Sequence, residues 1–198
     1  MNSTGSHTFN SRSWSRGFGV LGTLGLLSLT GLAGGTARAS DSEAADEAKT
    51  QVIFDHPEKY TDIKDGNMSS EKGERGQLEI LRKDIVSTAG NYLPDGWKLS
   101  MVFTDIDLAG DFEPWRGGQA DNIRIIKDIY PPGYKFTWKV TDATGRVLQQ
   151  GTENLRDIDF QMKATMIDRS ETLGNDKAVL NDWLRHTLRD LKKQVAKK

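Results

Sequence analysis

The chain has 198 residues, no cysteine and a formal net charge of −1 at pH 7. The absence of cysteine excludes thiol catalysis, cysteine-ligated zinc, iron–sulfur clusters and disulfide bonds. The slight excess of acidic residues argues against nucleic-acid binding by bulk electrostatics.

The first 39 residues contain the three parts of a secretory signal peptide. Arg12 and Arg16 give a positive start, residues 17–32 are uncharged and rich in Leu and Gly, and an Ala-Arg-Ala sequence at 37–39 precedes Ser40. A membrane anchor needs about 20 strongly apolar residues, whereas this stretch is shorter and is diluted by glycines. We therefore expect cleavage between Ala39 and Ser40, with no stable membrane anchor afterwards. No twin-arginine pair is present, so the general secretory route to the periplasm is expected.

Removing 39 of the 198 residues leaves 159, the size of one ordinary domain. Three of the 27 basic residues leave with the signal, so 24 basic residues face all 28 acidic ones and the net charge becomes −4. Residues 40–49 are small and acidic, which indicates a flexible lead-in. Residues 50–198 then form a single domain.

Apolar periodicity predicts the first elements of that domain. Thr50–Phe54 is a short apolar run and predicts a strand. A helix begins at Ser69 or Ser70 and ends at Pro94, with one apolar stripe along its length. Trp97–Leu108 carries apolar residues on both faces of a strand. One face has Leu99, Met101 and Phe103, and the other has Val102, Ile106 and Leu108. We therefore expect a central strand, covered in part on both sides.

The second half adds strands and a final helix. Asn122–Tyr130 is predicted as a strand that ends at two prolines. Tyr134–Thr141 alternates strictly between apolar and polar residues, and Arg146–Glu153 returns as its hairpin partner. Further on, Ile158, Phe160 and Met162 alternate and are compatible with a short strand, and Asn175 or Asp176 caps a long amphipathic helix.

This order, β-α-β-β-β-β-α, predicts an α+β fold. We expect an antiparallel sheet of about four to five strands with two main helices packed on one face. Several separated motifs also follow one another along the chain: Pro57–Ile63, Leu93–Gly96, Phe103–Gly110, Asp121–Ile125, Pro131-Pro132, Asp142–Gly145 and Leu155–Asp157. Together they resemble the bacterial family known as domain of unknown function 3016. The resemblance implies an exported envelope protein and supplies no activity and no functional residues.

An acidic cluster around the Trp97–Leu108 strand is the sharpest candidate site. Asp105 and Asp107 would point to the same face about 6.5–7 Å apart, and Asp111 and Glu113 follow. Two carboxylates at this spacing could act as the acid and the base of glycan hydrolysis. They could also bind a hard cation such as Ca²⁺, although Ala109 stands where an EF-hand loop needs its third ligand. The alternative is structural, because aspartates at strand ends form turns and ion pairs, here with Arg116 or Arg124.

Two further features are candidates for binding or for structure. Asp157 and Asp159 form a second alternate pair beside Arg156, for which turn and ion-pair roles are expected. Trp115 and Arg116 lie on a glycine-containing loop, where they suit a protein partner or a sugar ring, unless the tryptophan folds back over the core.

Other chemistry has little support in the sequence. His56 and His186 are isolated, so a histidine metal site is not expected. Neither a serine-nucleophile motif nor a phosphate-binding glycine loop occurs, so no cofactor is expected. The favoured hypothesis is a non-catalytic binding or accessory domain that contacts an envelope protein or glycan. It would act through residues 110–120 and the adjoining sheet edge, with Asp105, Asp107, Trp115, Arg116 and Arg124 as binding residues. The alternative is a carboxylate-dependent hydrolase acting on envelope glycans, with Asp105 and Asp107 as its catalytic pair.

Overall fold

The computed structural model of the chain describes residues 44–117, 122–165 and 169–197. The predicted signal peptide and its cleavage site at Ala39 and Ser40 lie outside these ranges. Within them the chain has the predicted α+β class. In the part of the chain that is described, none of the helices has the length and apolar character needed to cross a membrane.

The elements that position the site are strands and helices within the described ranges, together with two 3-10 turns at Pro57–Lys59 and Pro114–Arg116. In chain order they are β1 (Thr50–Phe54), α1 (Glu71–Tyr92), β2 (Lys98–Asp107), β3 (Asp111–Phe112), β4 (Arg124–Ile125), β5 (Gly133–Thr141), β6 (Val147–Arg156), α2 (Phe160–Lys163) and α3 (Gly174–Val195). Residues 44–49, part of the predicted flexible lead-in, are helical. The Asp46 carboxylate occupies the space where a side chain at Gly90 of α1 would lie.

The main sheet has four strands in the order β1-β2-β5-β6. Its β2–β5 and β5–β6 pairs are antiparallel, as expected, but β1 and β2 are parallel. The purely antiparallel expectation is therefore corrected to a mixed sheet. The reason is α1, which carries the chain from the end of β1 back to the start of β2, as a crossover between parallel strands must.

Both long helices contribute to the single core on one face of this sheet. Strand β5 places Tyr134, Phe136, Trp138 and Val140 in that core, which confirms its alternating pattern. The ring of Trp183, from α3, meets Phe136 and Trp138 edge-on at 4.9 and 5.5 Å between centroids. Side chains on the opposite face of β5 are exposed, so the sheet has one buried and one solvated face.

A β-bulge in β2 decides which residues face the core. The register with β5 shifts between Phe103 and Asp105, leaving Thr104 as the extra residue. Phe103 and Ile106 are consequently both fully buried, although the sequence pattern assigned them to opposite faces. The same shift places Asp105 opposite Lys135 and Asp107 opposite Gly133, on the solvated face.

One local prediction is wrong, and one strand that the sequence left open does not form. The predicted strand Asn122–Tyr130 is reduced to β4, which pairs only with β3 in a separate two-stranded sheet. Its isoleucines do not share a buried face, since Ile123 and Ile129 are exposed. The alternating residues at 158–162 form a turn and α2 instead of a strand, because only Phe160 is buried while Ile158 and Met162 point to solvent.

The start of α3 also differs from expectation. Leu173, in the left-handed conformation at φ 57°, occupies the N-cap position, and it makes no side-chain cap. Asp176 lies inside the first turn, and its carboxylate points into the core. One donor from β5, the Tyr134 hydroxyl, and one from the segment that follows β2, the Ala109 N–H, hold this side chain in the core.

Candidate functional site

The charged residues singled out in the sequence meet at one end of the main sheet, termed here the loop end. At this end β2 and β6 finish and β5 begins, with Asp107, Gly133 and Arg156 side by side in register. The segment after the first 3-10 turn joins them, because Asp62 forms an isolated parallel bridge with Asp107. Chain segments far apart in sequence thus contribute side chains to one small region.

Asp105 is held by donors from two neighbouring segments. Thr61 donates its backbone N–H at 2.8 Å and its hydroxyl at 2.9 Å to Oδ1, and Lys135 Nζ lies 2.8 Å from Oδ2. Partial burial favours the neutral acid, but these donors outweigh it and hold the pKa of Asp105 below its usual range. Asp105 is therefore ionised at neutral pH.

Asp107 lies on the same face but in a different environment. Its Oδ2 is 3.4 Å from the Arg156 guanidinium. Burial raises the pKa of Asp107, with a further contribution from the charges of Asp62 and Asp105, and Arg156 only partly offsets this. The two carboxylates of the predicted pair therefore have pKa values shifted in opposite directions.

Arg124 is the central cation of the loop end. It donates to Asp62 Oδ2 at 2.8 Å, to the Gly110 carbonyl at 2.9 Å and to the Lys64 carbonyl at 2.9 Å. Its guanidinium also lies 4.7 Å from the centre of the Phe112 ring. One side chain thus ties together the segment after the first 3-10 turn, the end of β2 and the β3–β4 hairpin.

Behind this network a carboxylate is fully buried. Asp176 Oδ1 accepts the Ala109 N–H at 2.9 Å and the Tyr134 hydroxyl at 2.6 Å. Burial raises the pKa of Asp176 to about 6, even though both hydrogen bonds act in the opposite direction. The start of α3 is thereby fastened to β5 and to the residues that follow β2.

The remaining acidic candidates are also engaged in local contacts. Glu113 is buried, and its Oε1 contacts Lys127 Nζ at 2.5 Å and accepts the Tyr130 hydroxyl at 3.0 Å. Asp157 Oδ2 lies 2.6 Å from Lys163 Nζ, and its Oδ1 accepts the Asp159 N–H at 3.0 Å.

The structure pairs these acids differently from the sequence hypothesis. Asp105 and Asp107 share a face as predicted, but their cations are Lys135 and Arg156. Arg124 pairs with Asp62, a residue that sequence reasoning did not single out. The side chain of Arg116 lies outside the described residues.

Neither a metal-ligand cluster nor any of four surface depressions involves the predicted pair among the described residues. Within the described ranges no group of three or more His, Asp or Glu residues is arranged to hold a metal ion. Four surface depressions of about 260–640 Å³ are lined by other residues, and neither Asp105 nor Asp107 borders any of the four. His56 and His186 are exposed, beside Glu58 and Asp182 respectively.

Apolar side chains collect at the loop end as well. Trp115 is 71% exposed, so it does not fold back over the core. Ile129 is 71% exposed, Ile158 70% and Met162 85%. Two hydrogen bonds join the segment of Ile129 to that of Ile158 and Met162, from Gln161 Nε2 to Asp128 Oδ1 at 2.5 Å and from the Asp157 N–H to the Pro132 carbonyl at 3.4 Å. The contacts of Glu113 with Lys127 and Tyr130 connect the Trp115 segment to the first of these. Ile123 and Ile126, from the hairpin that carries Arg124, are also exposed.

Comparison with known proteins gives a family and no activity. No curated protein and no solved structure matches the chain significantly. Residues 48–186 match the family model described as a protein of unknown function, DUF3016. That match spans more than half of the sequence and includes the whole main sheet, both of its packed helices up to residue 186, and every charged residue of the loop end. The chain belongs to the DUF3016 family.

Proposed function

We propose that the protein is exported to the bacterial periplasm and acts there as a non-catalytic binding domain whose loop end docks on another envelope protein. Export rests on the tripartite N-terminal sequence, which predicts a mature chain starting at Ser40. The single observation that carries the binding role is the set of exposed apolar side chains at the loop end.

The docking surface is defined by Trp115, Ile129, Ile158 and Met162, each of which is 70% exposed or more. Scattered apolar side chains are normal on a protein surface, but several on adjoining segments at one end of a domain are typical of an interaction site. Tryptophan is also among the residues that contribute most binding energy at interfaces.

Ion pairs in and near the same chain segments support a binding role. Arg124 holds the β3–β4 hairpin, and Lys163 bridges Asp157 and Asp182 at 2.6 and 3.0 Å. These contacts fix the loops before a partner arrives, which lowers the entropic cost of association. The charged residues then serve to hold the surface and need not contact the partner.

The test places a photo-crosslinking amino acid at Trp115 in living cells. We expect one discrete adduct in the periplasmic fraction, on a chain whose N-terminus is Ser40. Ile129→Asp and Ile158→Asp should reduce the adduct at least tenfold, because each puts a charge into the apolar contact. Both positions are exposed, so circular dichroism should be unchanged.

Val147→Asp is the matched control, since Val147 is an exposed apolar residue at the opposite end of β6. It should leave the adduct intact. An adduct that survives both loop-end substitutions, or that is lost equally in the control, would refute docking through this surface. Recovery of the chain with residues 1–39 still attached would refute cleavage.

One observation favours a second candidate, a carboxylate-dependent hydrolase of envelope glycans. Asp105 has a lowered pKa and Asp107 a raised one, and opposed shifts of this kind distinguish base from acid in glycosidases. In this hypothesis Asp107 is the general acid and Asp105 stays ionised.

If this second function holds, purified protein will release reducing ends from cell-wall glycan, and Asp107→Asn will lower the rate at least a hundredfold. Asp190→Asn, which alters an exposed carboxylate on α3, is the control and should keep full activity. The absence of release by the wild-type chain between pH 4 and pH 8, or equal rates for wild type and Asp107→Asn, would eliminate the hydrolase.

A further inference from the structure

The outer edge of β6 is the longest unpaired strand edge in the described part of the chain. Strand β6 has ten residues and pairs with β5 on one side only. Among the described residues, no further backbone or side-chain hydrogen bond reaches the main chain of Leu148 to Arg156 from its other side. An exposed row of N–H and C=O groups is a template for pairing with another strand.

The opposite edge of the same sheet shows how this chain protects a strand. Strand β1 is only five residues long. Arg82 from α1 donates to its Val52 carbonyl at 2.7 Å and stacks over Phe54 at 5.4 Å. Short length and a covering cation are two of the usual devices against edge pairing.

Strand β6 has a bulge at Leu148, near its start, but from Gln149 to Leu155 it has neither of those protections. It contains no lysine and no proline, the residues that commonly block an edge. Between Leu148 and Leu155 its one charged side chain is Glu153. That carboxylate accepts the Trp138 Nε1–H at 2.9 Å, so it bends back over the sheet and away from an incoming strand.

The geometry points to a second copy of this chain as the occupant, with the two β6 strands pairing antiparallel about a two-fold axis at Gly151 or Thr152. Such an isologous contact matches the commonest symmetry of oligomers. It joins two four-stranded sheets into one of eight strands through roughly eight backbone hydrogen bonds.

The positions of the charged residues in β6, and the alternation of its side chains between the two faces of the sheet, are compatible with pairing to a second copy. With the axis at Gly151, Glu153 faces Gln149 of the second copy, and with the axis at Thr152 it faces Gly151. Neither register opposes like charges between Leu148 and Leu155, and both keep the solvated face continuous, since opposed residues of antiparallel strands point to the same side. The contact is separate from the loop end and does not depend on the proposed function.

Thr152 gives a charge-swap test. It is exposed, faces the solvated side opposite Thr137, and lies on the proposed axis or one residue from it. In sedimentation over roughly 1–500 μM, the wild-type chain should associate to dimers in the micromolar range, as expected for a small interface. Thr152→Lys and Thr152→Glu should each weaken association at least tenfold, because each brings like charges together across the axis. An equimolar mixture of the two variants should restore a dimer.

Thr137→Lys is the matched control, with the same residue type on the same face one strand further from the edge. It should dimerise like the wild type. A wild-type chain that stays monomeric at the highest concentration overturns the inference, as does equal weakening by Thr137→Lys or a mixture that stays monomeric. Hydrogen exchange of the wild-type chain gives a check that needs no variant: amides of residues 148–156 should become more protected as concentration rises, and unchanged protection overturns the inference as well.

Discussion

Replacing Arg124 with alanine is expected to lower the free energy of unfolding by about 3 kcal/mol, the cost of leaving a mostly buried charge unpaired. Arg124 and Asp62 are each only 14% exposed and meet at 2.8 Å. The substitution also removes the donor that serves the carbonyls of Gly110 and Lys64. Chemical denaturation followed by tryptophan fluorescence measures the loss.

Two further variants separate this role from ordinary surface charge. Arg124→Lys should recover only part of the loss, because an ammonium group cannot reach several acceptors with the geometry of the guanidinium fork. Arg146→Ala removes an exposed arginine paired with Asp142 and should cost less than about 1 kcal/mol. Equal losses for Arg124→Ala and Arg146→Ala would show that Arg124 does not hold the loop end together.

Arg124→Ala should also affect the proposed binding. The β3–β4 hairpin loses its tie to Asp62, so Trp115 beside it is no longer held in one place. We expect a weaker Trp115 adduct in the crosslinking experiment at a temperature where the variant is still folded. A full-strength adduct would indicate that the partner contacts do not need this anchoring.

The sequence predicted the elements whose apolar residues repeat without interruption and all lie on one buried face. Strand β5 is the clearest case, because Tyr134, Phe136, Trp138 and Val140 alternate without interruption and all lie in the core. The long helices are similar, since their apolar residues repeat at helical spacing. In β2 the bulge at Thr104 adds one residue, and nothing in the local pattern of Phe103, Asp105 and Ile106 marks where the register changes.

The site was predictable only as a set of residues. Asp105 and Asp107 share a face of β2, and Arg124 lies near them at the same end of the sheet. Their partners depend on which distant segments are brought alongside, and Asp62 reaches Asp107 through a bridge that no short-range pattern encodes. Asp176 shows the same limit: a polar residue at the start of a helix is normally taken for a cap, and its burial depends on Tyr134 and Ala109.

Asp176 should make the stability of the protein fall as pH rises from about 4 to about 6. Burial raises its pKa to about 6 in the folded state, above the ordinary value of 3.8 that applies after unfolding. The folded protein therefore holds the proton more tightly, and its stability is greatest where Asp176 is neutral. Ionisation between pH 4 and pH 8 is expected to cost on the order of 2 kcal/mol.

Asp176→Asn and Asp176→Ala test this from two sides. Asparagine keeps an oxygen that accepts from Ala109 and Tyr134 but cannot ionise. The unfolding free energy of Asp176→Asn relative to that of the wild type should therefore increase as pH rises. Alanine leaves both donors without an acceptor and should cost about 2–4 kcal/mol at pH 5. Denaturation curves at pH 4, 5, 6, 7 and 8 measure both effects. Taking the difference between variant and wild type at each pH cancels the contribution that the other carboxylates make to the pH dependence.

Tyr134→Phe provides the control on the origin of the shift. The Tyr134 hydroxyl donates to Asp176 Oδ1 and so favours the ionised form, which opposes the effect of burial. Removing that hydroxyl should raise the pKa of Asp176 further and move the midpoint of the stability change to higher pH. A midpoint that is unchanged in Tyr134→Phe, or a pH dependence that survives in Asp176→Asn, would mean that another buried group is responsible.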